Sequence, residues 1–306
     1  MTQRNAEVDF VKAVMIVLVI VFHLAWFTEL YPEAKSVAFN KIAMPTFLLF
    51  SGYFCHTDRP WNDCMKRVVW LAVPYLLIET AYVIGCTQLP IQEHIDHLTV
   101  AAWAKYVFIR PLGPYWYLQM LIICQLLSVI IFKSHFVESL TGRLCLLVAA
   151  VYLLKDLMVF DKAIFFVAGL ALRQGGVTME KMFRPSWWAL LPLMVILFLP
   201  QPHLLLAPIL TWLAICICSA IACRLPERWL RIPLYVGRNT LVIYLFSPVF
   251  TLMVKPLIPF LSWDSSRLTF AILGAVVGVL GSLMVAYVLD RLHVSQLLFG
   301  KNHILQ

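Results

Sequence analysis

The stretch Val14-Met-Ile-Val-Leu-Val-Ile-Val-Phe-His-Leu-Ala-Trp26 is apolar throughout except for one titratable side chain, His23. Carried outward to residues 8–30, the run is long enough to cross the hydrocarbon core of a bilayer, which takes about 20 helical residues. A polar ring at that depth is costly, so it is expected to line a cavity and to work there. Lys12 precedes His23 by eleven residues. That is close to three helical turns, so the two share one stripe of the helix and lie roughly 16 Å apart along its axis. A cation near the membrane surface, in line with a base deeper in, suits a long ligand with an anionic head.

The rest of the chain agrees with a membrane setting. Of 306 residues, 62% are hydrophobic and 13% charged, about half the charged fraction of a soluble domain. The chain reads as all-α, a polytopic integral membrane protein. Its net charge of +8 calls for no nucleic acid, because multi-pass proteins gather Lys and Arg in cytoplasmic loops. The eight cysteines lack the spacing of a metal site or disulfide framework. Cys216 and Cys218, two apart, do not face each other on a helix, and all eight read as packing residues. No metal is expected. No small-residue cleavage site follows the first run, so the first helix is expected to stay as a signal anchor.

Apolar segments separated by short polar or Pro/Gly-marked breaks give about ten helices. They cover roughly residues 8–30, 38–55, 67–87, 115–133, 143–158, 162–174, 186–200, 204–223, 235–261 and 267–290. A cytoplasmic N-terminus puts about 16 Lys and Arg, Arg4 among them, on the cytoplasmic side and about 8 on the other, as the positive-inside rule requires. An even helix count returns the C-terminus to the cytoplasm. No linker, internal repeat or low-complexity tract divides the chain, so residues 1–306 read as a single membrane-embedded domain.

Several polar groups in or beside these spans carry chemical potential. Asp9 and Lys12, three apart, are neighbours on the helix surface; they form either an interfacial anchor or a phosphate contact in which Asp9 fixes Lys12. His23, in apolar surroundings, stays largely neutral and can accept a proton, as a general base requires; a structural histidine bonding between helices is the bland reading. Glu79, midway along the third span, either orients such a base or is held protonated by a nearby hydroxyl. Arg59, Lys66 and Arg67 form a basic patch that serves topology or binds a phosphorylated cofactor. In Gly237-Arg-Asn-Thr-Leu-Val-Ile-Tyr-Leu-Phe-Ser-Pro248, Arg238 and Asn239 at a helix start can bind an anion, with Tyr244 and Ser247 deeper on one face. The long connection between residues 86 and 115, which includes Glu93 and His94, leads to Trp103, Tyr115 and Trp116; these aromatics form an interfacial belt or hold a sugar or lipid headgroup. Ser51 lacks a Gly-x-Ser-x-Gly setting and is not a nucleophile candidate.

Taken together, Asp9-Phe-Val-Lys12 with His23, the Pro45–Phe54 segment ending in Ser51-Gly52-Tyr53, Tyr115-Trp-Tyr-Leu118 and the Gly237–Ser247 segment resemble the acyltransferase 3 family of bacterial membrane acyltransferases. The resemblance implies a ten-helix core in the bacterial inner membrane. It also implies transfer of an acyl group, commonly acetyl from acetyl-CoA or another acyl-CoA, to a hydroxyl of a surface glycan. The family's basic residue and histidine map onto Lys12 and His23. Lys12 stands where many members have arginine, keeping the charge without the bidentate fork, and Ser247 stands where many have histidine. The expected roles are His23 as base with Glu79 or Tyr244 assisting, donor phosphates on Lys12, Asp9, Arg59, Lys66, Arg67, Arg238 and Asn239, and the acceptor at Trp103, Tyr115 and Trp116. The expected partners are the lipid bilayer, a glycan or polyprenyl-linked sugar and, as an option, a second copy in a homo-oligomer. A transporter or flippase using His23 and Glu79 for proton coupling is the competing class, although no repeated halves are visible; an inactive scaffold subunit is the third.

Overall fold

The computed structural model describes residues 5–88, 95–134, 136–198 and 206–306. Among them every regular element is helical. In chain order the longer helices are α1 (Ala6–His23), α2 (Met44–Tyr53), α3 (Trp61–Gly85), α4 (Val100–Phe108), α5 (Trp116–Lys133) and α6 (Leu140–Leu153). They continue as α7 (Phe160–Gln174), α8 (Leu190–Phe198), α9 (Ala207–Ala222), α10 (Glu227–Arg238), α11 (Thr240–Met253) and α12 (Leu268–Arg291). Among the described residues four helical stretches are long and apolar enough to cross a membrane: Trp61–Gly85, Gly113–Lys133, Thr240–Leu261 and Leu268–Arg291. The described residues within Met1–Phe47, Val177–Ser295 and Asn302–Gln306 form one compact unit; those within Leu48–Gly176 and Gln296–Lys301 form a second.

In the first unit α1 packs against α9, α10, α11 and α12. Its start is set by Asn5, whose side-chain oxygen accepts from the Glu7 and Val8 N–H groups, satisfying donors that a helix end leaves open. Along α12, Gly274 and Gly278 form a shallow groove. Ile20 of α1 lies against Gly278 and Leu24 against Gly274, so two residues four apart seat on two glycines four apart. In lipid the hydrophobic effect does little between helices, and close van der Waals contact over small residues replaces it. The second unit is built from α3 to α7, with Leu118, Met120, Leu147 and Phe166 fully buried.

The structure departs from the expected spans where the apolar pattern runs on but the backbone does not. The first span breaks at Leu24, which is extended (φ −78°, ψ 94°), leaving His23 as the last residue of α1. The second opens with a π-helical segment, Lys35–Ala43, a geometry often found at functional sites. The ninth divides at Asn239 into α10 and α11. The long connection before Tyr115 contains α4, capped by the Thr99 hydroxyl on the Ala102 N–H. Glu93 and His94 in that connection, Arg4, and the expected helix limits between residues 199 and 205 lie outside the described residues.

Candidate active site

In the first unit the site grows from the two ends of α1. At its start Asp9, 3% exposed, takes Lys12 Nζ on Oδ1 at 3.4 Å and Arg238 Nε on Oδ2 at 3.5 Å. The first contact follows from i,i+3 spacing; the second is made possible by Gly237. A Cβ built there would stand 1.8 Å from the Asp9 carbonyl oxygen, so only glycine lets α10 touch the α1 backbone. One buried carboxylate thus holds two cations, of which Lys12 and Arg238 keep 25% and 38% of their side-chain surface exposed. Asn239, beside them, spends both amide protons within the chain, donating to the carbonyls of Tyr235 and Gln306, while its own oxygen accepts the Gln306 N–H.

At the far end of α1, half-buried His23 has Nδ1 2.6 Å from the Val19 carbonyl oxygen. A carbonyl only accepts, so Nδ1 carries the proton of the neutral ring and Nε2 holds the lone pair. The ring meets the edge of Phe39, in the π-helical segment, at 5.2 Å and 81°. The chain just beyond is fixed from another direction: the Arg267 guanidinium lies 4.8 Å from the Trp26 ring centre, donates to the Trp26 carbonyl and pairs with Glu29 at 3.6 Å. The turn carrying Arg267 is held by Asp264, whose carboxyl is pulled down to about 2, first by the Ser266 hydroxyl and then by the Thr269 N–H. Tyr244 and Ser247 are buried on α11, which packs on α1. The Ser247 Cβ approaches the same Gly278 that receives Ile20.

In the second unit Glu79 is fully buried, and its Oε1 accepts the Leu112 N–H at 2.7 Å. Tyr75 donates to the Val107 carbonyl, Gln119 to that of Phe108, and Trp103 Nε1 to the Thr80 hydroxyl. These bonds tie α4 and the strand of chain after it to α3 and α5. Gly113 follows with φ +63°, and a Cβ built there would stand 2.6 Å from the Tyr82 ring, a position that disfavours other residues on both counts. The three aromatic candidates therefore part company. Tyr115 is buried edge-on against Tyr82, Trp103 on α4 packs against the buried cluster of Val83, Cys86, Val107 and Leu112, and Trp116 lines an open cleft of about 720 Å³.

The basic patch is also in the second unit, with Arg59, Lys66 and Arg67 exposed. Sequence reading missed two of its members, His56 and Arg173. His56 is held below the usual imidazole range by partial burial and then by the charges of Arg173, Arg59 and Arg67. Arg173 lies in the last turn of α7, 117 residues after His56, and only His56 standing three residues before Arg59 hinted at the site. Among the described residues no group of three or more His, Cys, Asp or Glu is placed to hold a metal ion.

No curated protein and no solved structure matches the chain. A family model described as an acyltransferase domain matches residues 5–289, a range that takes in α1, the α10–α11 junction and most of α12. With apolar helices of membrane-crossing length and a match over nearly its whole length, the chain belongs to the acyltransferase 3 family and is a membrane acyltransferase.

Proposed function

We propose that the protein is an O-acyltransferase of the bacterial inner membrane, a bundle of about ten spans with both termini in the cytoplasm. It takes an acyl group, acetyl in the simplest case, from acyl-CoA and places it on a hydroxyl of a cell-surface glycan or lipid-linked sugar. The family membership supports an acyltransferase over a transporter. The observation that carries the reading furthest is His23: its Nδ1–H is committed to Val19 at a helix end, so the Nε2 lone pair is the ring's remaining function.

In this reading Lys12 and Arg238, both steadied by Asp9, receive the donor's phosphates, and the pantetheine arm runs along α1 toward the imidazole. His23 Nε2 takes the proton of the acceptor hydroxyl as that oxygen bonds to the thioester carbonyl carbon. The tetrahedral oxyanion is stabilised by a hydrogen-bond donor, for which Tyr244 on α11, a helix packed on α1, is the candidate. The C–S bond then breaks, the imidazolium returns its proton to the departing thiolate, and an ester and free CoA result. Purified protein supplied with radiolabelled acetyl-CoA and lipid-linked glycan tests this. Label moving onto the glycan is the expected result; label that crosses a vesicle membrane without acylation, or neither, refutes it.

A further inference from the structure

The cleft of about 720 Å³ in the second unit has the volume of a small-molecule site, about 300–1,000 Å³. One wall is the chain from Ile109 to Leu112, made rigid by the buried Glu79–Leu112 bond and by Gln119. Another wall is residues 155–161, the turn after α6 and the start of α7. Four formal charges reach the cleft, Arg110 and Lys155 against Asp156 and Asp161. All four residues are exposed. Among the described residues none of the four joins an ion pair; Lys155 instead lies 5.1 Å from the Tyr152 ring centre. Trp116, half-buried, contributes an aromatic surface, and Tyr106 a second.

This lining selects by charge. Two carboxylates disfavour a nucleotide or any other polyanion, and two cations disfavour an amine or metal ion. An uncharged molecule dense in hydroxyl groups suits both signs, because each hydroxyl donates to a carboxylate and accepts from a cation. An indole beside such groups gives the apolar C–H face of a pyranose a flat surface to cover. We propose that this cleft binds an uncharged saccharide, with Trp116 as the stacking platform and Asp156, Asp161, Arg110 and Lys155 as the hydroxyl-reading groups. It deepens the proposed function by giving the acceptor a class, neutral rather than acidic glycan, and it rests on that reading for the saccharide being an acceptor.

The full chain, purified in detergent and fluorescently labelled, is applied to an array of neutral and acidic oligosaccharides, alongside Trp116→Ala, Asp156→Asn with Asp161→Asn, and His23→Ala. The expected result is binding confined to neutral glycans. It should weaken about tenfold in the cleft variants, the scale of one lost charge-assisted hydrogen bond, persist in His23→Ala, and stand undiminished in the presence of acetyl-CoA. Binding of acidic glycans only, no binding of neutral ones, wild-type binding by the cleft variants, or displacement by acetyl-CoA each overturns the cleft assignment. If neutral glycan binds as expected but acyl transfer survives in His23→Ala, the catalytic reading fails and the cleft stands.

Discussion

Gly237→Ala puts the helix packing and the cation cluster under one test. The added Cβ would lie 1.8 Å from the Asp9 carbonyl oxygen, where ordinary contact begins near 3.4 Å. The obstacle is backbone, which has no rotamer to escape into, so α10 must move off α1 by about 1.6 Å. Overpacking of this kind costs about 1–3 kcal/mol. The movement also stretches the Arg238–Asp9 contact, already 3.5 Å, past ion-pair range. Two readouts should therefore change together. Unfolding in detergent can be followed with a thiol-reactive dye, since Cys55, Cys64, Cys86, Cys124, Cys216 and Cys218 are buried until the chain opens, and its midpoint should fall. The KM for acyl-CoA should rise with kcat less affected, because Arg238 is assigned to binding the donor. A variant with an unchanged melting curve and an unchanged donor KM refutes both the close approach and the role given to Arg238.

Other outcomes follow from single groups. Glu79→Ala leaves the buried Leu112 N–H without its acceptor and should cost about 1–3 kcal/mol in the same melting assay, with weaker saccharide binding at the cleft wall; an unaltered melt rules out the carboxylate as the anchor of that wall. His56 has its pKa lowered in the folded chain from 6.5, by burial and then by Arg173, Arg59 and Arg67. The unfolded chain therefore binds the proton more readily, and the His56 contribution is complete above pH 6.5 and declines as pH falls below it. Melts of wild type and His56→Asn between about pH 5 and 7 should show a shallower acid slope in the variant, and parallel curves would contradict the assignment.

Much of this was legible in the sequence because membrane helices advertise themselves through long apolar runs. The i,i+3 pair Asp9–Lys12 and the shared stripe of Lys12 and His23 followed from helix geometry alone. The breaks did not. At Leu24 and Asn239 the composition on either side stays apolar or helix-compatible, and what interrupts the helix is tertiary packing: Leu24 seated on Gly274, and Asn239 engaged by Gln306. The π-helical turn at Lys35–Ala43 has no residue signature. Helix α4 was hidden by its nine-residue length, although the Thr99 cap before an apolar stretch was a usable sign. Arg238 meeting Asp9, and Arg173 joining His56, are pairings over more than a hundred residues, which local patterning cannot carry. Tyr115 shows the converse limit, since an aromatic beside a polar loop reads the same whether it faces a ligand or is buried against Tyr82.

The proposed acyl transfer turns on the imidazole of His23. Its replacement by Gln keeps an N–H able to reach the Val19 carbonyl while removing the lone pair that accepts the hydroxyl proton. Single-turnover transfer from bound acetyl-CoA, measured for His23→Gln against wild type at equal donor occupancy, should fall by about 10²–10⁴, the usual worth of a general base. A rate within a factor of about two of wild type would show that the proton leaves by another route.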